Sequence, residues 1–196
     1  MLRRTTVSAI LVALTACAPA PQRPPTPAQS TASAPAPAEV GTQAPAGATL
    51  SDVERKVIAS TNAYRRQHAL PALAPDARLI RIAQDHARNM ARQDKFGDTD
   101  DNGHLLDGRS MEHRIRAGGY RFARAAENVG YQLNRGEPAA AMLEGWKSSP
   151  GHRRNLLLPD VTEIGVGAAK GRSGRWYFVQ LLGRPADAPE PARPSK

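Results

Sequence analysis

The stretch Trp146-Lys147-Ser148-Ser149-Pro150-Gly151-His152-Arg153-Arg154-Asn155-Leu156-Leu157 passes from an aromatic anchor through a turn to a basic and then apolar run. Trp146 closes a predicted helix that Glu137-Pro138 opens, since proline is tolerated in a first turn where its missing N–H is not needed. The Ser-Ser-Pro-Gly break then leaves His152 in a loop beside an ordered element, and such loops are where binding residues concentrate.

Downstream, Ile164-Gly165-Val166-Gly167-Ala168 and the run Trp176 to Leu182 flank a Gly171-Arg172-Ser173-Gly174 turn, which predicts a hairpin. Glu127 to Gln132 is a third candidate strand. Upstream the pattern is helical. Ser51-Asp52-Val53-Glu54 is a capping box, followed by Val53, Val57, Thr61 and Tyr64 at helical spacing. Pro71 and Pro75 break the chain; a second helix starts near Asp76 with Leu79, Ile82, Ala83, His86 and Met90 on one face. Phe96 to Asp107 is a polar loop, and Ser110 caps a short third helix that stops at Gly118-Gly119. Helices first and an antiparallel pair last predict a layered α+β domain rather than a parallel βαβ fold.

The chemistry-bearing residues are five histidines, His68, His86, His104, His113 and His152, beside Glu127 and Glu144. No HExxH, CxxC, Walker or GxSxG motif is present. His86 lies on an apolar helix face and is expected in the core; His68 and His113 sit near helix ends and are expected at the surface. His104 and His152 fall in turn-rich segments and are the candidates for a site. Trp146, Trp176, Tyr177 and Phe178 are expected in the core, and Asn128 and Arg153 in the scaffold.

Four ordered segments make the chain recognisable. Thr61-Asn62-Ala63-Tyr64-Arg65 leads to Leu70-Pro71-Ala72-Leu73; His104 precedes Asp107-Gly108-Arg109-Ser110 and Ala117-Gly118-Gly119-Tyr120. Ala126-Glu127-Asn128-Val129-Gly130 and the Trp146–Leu157 stretch follow, trailed by Glu163-Ile164-Gly165-Val166-Gly167. Together they resemble the short bacterial form of the CAP family (cysteine-rich secretory, antigen 5 and pathogenesis-related-1 proteins, the SCP domain), from about Val53 to Gly183. The resemblance implies a three-layer α-β-α sandwich around a mainly antiparallel sheet, with a cleft where two histidines and acidic residues converge.

Carried over by position, the cleft residues are His104, Glu127 and His152, all three candidates for catalysis. Ser149 stands where eukaryotic members have a second acid and becomes a hydrogen-bonding group of the ligand site. Glu144 lies on the helix side, two residues before Trp146, and is not taken as its replacement. The resemblance implies that His104 and His152 could hold a weakly bound divalent metal such as zinc, with no cofactor required. A carboxylate beside an imidazole also suits proton transfer. Three functions therefore stand open: an envelope binding module, a hydrolase acting on peptidoglycan or another envelope polymer, and a structural or adhesive role with the cleft vestigial.

The start of the chain bears on where it acts. Arg3-Arg4 precedes the apolar run Val7 to Leu14, which is too short to span a bilayer but fits a secretory leader. It ends in Leu14-Thr15-Ala16-Cys17, which resembles a bacterial lipobox, so residues 1–16 are expected to be removed and Cys17 to carry a palmitate-type lipid. Cleavage after Ala18 or Ala20 would discard Cys17, the single cysteine of the chain, and is disfavoured.

Residues 18–48 hold eight prolines and ten alanines without Leu, Ile, Phe, Tyr or Trp, so nothing there offsets the entropy of ordering. Such a tether reaches roughly 30 Å as a coil and about 95 Å as polyproline II. Residues 49–184 form the expected domain, and 185–196 a second Pro-rich tail. The charge of +9 falls to about +7 without Arg3 and Arg4. The scattered pairs Arg65-Arg66, Arg78/Arg81, Arg114/Arg116 and Arg153-Arg154 suit a solvated surface or anionic envelope polymers and lipid headgroups, not nucleic acid. The expected place is the cell envelope, at the outer membrane or periplasm if the organism is Gram-negative. Expected partners are the membrane through Cys17, then peptidoglycan, lipid or envelope proteins.

Overall fold

Ser51 caps helix α1 (Asp52–Gln67) by accepting from the Glu54 N–H, while the Glu54 carboxylate returns a bond to the Ser51 N–H, so the predicted capping box forms in full. Glu54 is itself buried and accepts from the Ala168 N–H at 3.0 Å and from Gln84 Nε2 at 3.0 Å. One carboxylate thus ties the start of α1 to a strand and a second helix.

A computed structural model describes residues 48–97, 103–133 and 136–189. The leader, Cys17, nearly all of the Pro/Ala tether and the end of the C-terminal tail lie outside the described residues.

After α1 come β1 (Ala74–Pro75), α2 (Ala77–Gln93), α3 (Met111–Ala117), β2 (Phe122–Gln132), α4 (Pro138–Ser148), α5 (Pro150–Leu156), β3 (Glu163–Lys170) and β4 (Trp176–Pro185). The sheet order is β1-β3-β4-β2; β1 runs parallel to β3 and the other neighbours are antiparallel. Asp76 caps α2 and Ser110 caps α3, each through its side chain. Strand β2 begins five residues earlier than the sequence pattern predicts, at Phe122. Its first residues, Phe122 to Arg124, include an irregularity in the register with β4 and alternate poorly, which hid them.

Two cores flank the sheet. Val57, Met142, Leu143, Trp146 and Leu156 from α1, α4 and α5 pack on Ile164, Val166, Phe178 and Leu182. Leu79, Ile82, Ala83, Met90 and Ile115 from α2 and α3 pack on Val129, Tyr177, Val179 and Leu181. The alternation of β3 and β4 between these sets is the pleat of a strand buried on both faces. Helices on both faces of one sheet make the α-β-α sandwich, and every predicted α2 face residue is buried in it. Trp146, Tyr177 and Phe178 are fully buried, and Trp176 packs against the first core.

Two expectations change. The segment after Ser149 is helix α5, so His152 stands on a helix rather than in a loop. Pro150 occupies its first turn, the position proline tolerates, and the chain turns at Ser149 (φ −89°, ψ 120°) between two consecutive helices. Not all of the basic pairs are surface. Arg65 is fully buried, donating to the carbonyls of Pro71 (3.0 Å), Leu156 (2.9 Å) and Leu158 (2.8 Å), and so holds the end of α5 against α1.

Candidate functional site

β2 is an edge strand of the sheet, and the pleat sends Glu127 toward the α2/α3 layer and Asn128 toward the α1/α4/α5 layer. The candidate site forms where this edge meets both layers.

The Glu127 side chain is 1% exposed. One carboxylate oxygen accepts from His104 Nδ1 at 2.8 Å and the other from the Arg114 guanidinium at 2.6 Å. Burial alone would raise this carboxyl, but the His104 hydrogen bond and then the charge and hydrogen bond of Arg114 outweigh it and hold Glu127 below the ordinary carboxylate range. Glu127 is thus an ionised anchor, spent on both oxygens. Arg114 also donates to the carbonyls of His104 (2.8 Å) and Arg109 (2.7 Å), so it clamps the loop that carries His104.

His86 is buried as expected. Its Nε2 lies 2.7 Å from the Gly103 carbonyl oxygen, which fixes the same loop from the α2 side. Burial, then the charge of Arg114, lower its pKa, so it is neutral near pH 7.

The other layer supplies a chain of buried amides. Thr61 accepts from Gln180 (2.9 Å), Gln180 accepts from Asn128 (3.0 Å), and Asn128 accepts from Asn155 (3.0 Å). Asn155 also donates to the Glu127 carbonyl at 3.1 Å, and Asn128 to the His152 carbonyl at 3.3 Å. These bonds register α5 against β2 and satisfy polar groups that would be costly if left bare. Asn128 therefore serves the scaffold, as expected.

His104, Leu105, Ser110, Met111, Glu127 and Asn155 line an open cleft of about 380 Å³ at this edge. His104 is 43% exposed, and the half-buried His152 feels its charge. Burial first, and the His104 charge second, lower the pKa of His152. Ser149 lies at the α4–α5 junction and caps α5 without a side-chain hydrogen bond. Glu144 is exposed and ion-paired with Lys147 at 2.7 Å, away from the cleft lining. His68 and His113 are exposed.

With Glu127 committed to His104 and Arg114, a cation here would draw its protein ligands from the two imidazoles. Among the described residues no three His, Cys, Asp or Glu side chains converge in a metal-holding group. That donor set is short of the three protein ligands of a catalytic zinc site.

The His152 ring is expected to titrate with a midpoint below about 6.5, the ordinary histidine value. In His104→Ala the midpoint should rise while staying below that value, because burial persists. Histidine ring NMR reads both, and an unmoved midpoint would separate the two rings. Since the folded value is the lower one, this stability contribution is complete above about pH 6.5 and is lost as pH falls.

Residues 58–182 match the sequence profile of the Cysteine-rich secretory protein family, CAP. The chain belongs to the CAP family. Among relatives, 127 residues are 33% identical to the membrane protein YlbC of Bacillus subtilis (strain 168), covering 65% of this chain and 33% of that protein. YkwD of the same organism is 32% identical over 146 residues, covering 74% of this chain and 53% of that one. The chain thus spans a third to about half of the length of these relatives. Among solved structures, an extracellular SCP-domain protein of Bacillus anthracis str. Ames is 26% identical with a TM-score of 0.56, over 70% of this chain and 45% of that one. An outer surface protein of Borrelia burgdorferi gives a TM-score of 0.59 at 20% identity, over 71% of this chain and 99% of that one. These likenesses confirm the α-β-α sandwich of a CAP domain.

Arg114 is the site residue that sequence reading misses. Nothing in one of the two arginines of a short helix marks it as the partner of a carboxylate 13 residues away.

Proposed function

We propose that this CAP protein is an extracytoplasmic, lipid-anchored binding module of the cell envelope, with the His104/Glu127/His152 cleft as its ligand site. The observation that carries this is the state of Glu127. A general acid or base must exchange a proton within reach of substrate. Here the carboxylate is buried, ionised and held on both oxygens, which suits orienting His104 rather than proton transfer. His104 then presents a fixed imidazole in an open cleft; His152 is not among the lining residues but is near enough for its pKa to feel His104. Imidazoles with Asn155 and Ser110 suit a polar ligand such as a glycan or peptide of peptidoglycan. The relatives described as extracellular or outer-surface proteins support the location. The lipobox-like Leu14-Thr15-Ala16-Cys17 supports the anchor.

The test incubates the full chain and its His104→Ala/His152→Ala variant with purified peptidoglycan, with and without zinc. Cosedimentation of the wild type, lost in the variant and without new muropeptides, is expected. Muropeptides released by the wild type alone would replace the module with a hydrolase. Equal behaviour of both proteins would remove the cleft from the function. In fractionated cells the wild type belongs with membranes, and Cys17→Ser should move to the soluble fraction.

A further inference from the structure

A second cleft lies on the other side of Arg114, between α2 and the segment from Leu106 to Gly118. At about 450 Å³ it is larger than the His104/Glu127 cleft and falls in the range of small-molecule sites, roughly 300–1,000 Å³. It exists because α3 is short and meets α2 closely at one end. There, a Cβ on Gly118 would collide with the Ile82 side chain. Toward the far end the gap is bridged at the surface, where Asn89 and Gln93 of α2 donate to Asp107 at 2.6 and 3.1 Å.

The charges on its walls are unevenly spent. Asp85 accepts from Arg88 (2.7 Å), Asp107 accepts from the two amides, and Arg114 is held by Glu127. Arg92 donates to the Asn89 side-chain oxygen at 3.2 Å. Among the described residues, the Arg109 guanidinium and the His113 imidazole have no acceptor, although both line the cleft. The apolar part of the lining comes from the buried Ile82 and Leu106 and the exposed Ala117.

We infer that this cleft is a second binding site, taking a single carboxylate on a small apolar body, such as the free C-terminus of a short peptide. Arg109 offers the planar, bidentate fork that matches a carboxylate, and His113 adds a second donor. The apolar lining of Ile82, Leu106 and Ala117 suits a methyl-sized side chain. Asp85 and Asp107 on the rim repel a dianion, which sets a carboxylate above a phosphate.

The probe is N-acetyl-alanyl-alanine, titrated into the full chain while the Ile82 and Ala117 methyl signals are followed by NMR. The acid should shift both signals saturably, and its C-terminal amide should bind at least tenfold more weakly. Arg109→Ala/His113→Ala, two exposed substitutions, should lose the acid's binding at an unchanged melting temperature. His104→Ala/His152→Ala should retain it, which separates this site from the first cleft. The inference is overturned by an amide or inorganic phosphate that binds as tightly as the acid, by undiminished binding in the Arg109/His113 variant, or by the absence of a saturable shift.

Discussion

Replacing Gly165 with alanine is expected to lower the unfolding free energy by about 3 kcal/mol, the upper end of overpacking costs, with Gly167→Ala close behind. A Cβ on Gly165 would land on the backbone of Leu79 and Ile80, and one on Gly167 on the backbone of Ala83 and Gln84. Both obstacles are the main chain of α2, so no rotamer change makes room. Either the helix lifts off β3, thinning the core of Leu79, Ala83 and Ala87, or the strand bends away from β4. For a domain of this size the cost appears as a melting temperature lower by roughly 10 °C. Gly151→Ala is the control. The nearest heavy atom to its Cβ is an Arg154 guanidinium nitrogen at 3.9 Å, and alanine in a helix is favoured over glycine by about 0.5–1 kcal/mol. Its melting temperature should stay level or rise. If Gly165→Ala behaves like Gly151→Ala, α2 does not rest on β3 in the way described.

The same glycines show what a sequence displays and what it withholds. Val166 between Gly165 and Gly167 reads as a strand, and that strand is present. That its two glycines exist to admit a helix backbone is a property of packing, and no local pattern carries it. The caps at Ser51 and Ser110 are legible because their partners lie three residues away, and the structure adds a cap at Asp76, where a helix is expected to start. Helix α5 is not legible, since Pro150-Gly151 reads as a break until Ser149 is seen to turn the chain straight into a new first turn. At the site, His104, Glu127 and His152 came from ordered motifs, and the structure brings the first two into direct contact. Ser149, at a helix junction, and His152, on α5, are both outside the residues lining the cleft. Arg65 and Arg114 read as surface charge because charge is visible in a sequence and burial of an isolated arginine is not.

Arg114 therefore carries the sharpest expectation for the site. Arg114→Ala should cost about 3–5 kcal/mol, because it leaves a buried carboxylate without its guanidinium partner. The Arg114 side chain is 10% exposed and that of Glu127 1%, so solvent cannot replace the lost charge. The pH dependence follows from the direction of the shift. Glu127 is held below its ordinary value, so its contribution is complete above the unfolded carboxyl pKa of about 4.3 and is lost as pH falls through the folded value. The stability gap between wild type and Arg114→Ala should thus be widest near pH 7 and narrow below about pH 4. Denaturant unfolding at the two pH values measures it. A gap of the same size at both would mean that Arg114 acts through packing of its stem, not through the carboxylate. The double variant Arg114→Met/Glu127→Met decides between pairing and filling. If the ion pair is the cause, the double variant should be more stable than Arg114→Met alone, since removing the second charge removes the penalty created by removing the first. His104 then loses the acceptor for its Nδ1, and with it the fixed ring on which the proposed ligand site rests. Peptidoglycan cosedimentation should fall in the double variant even where the fold has recovered.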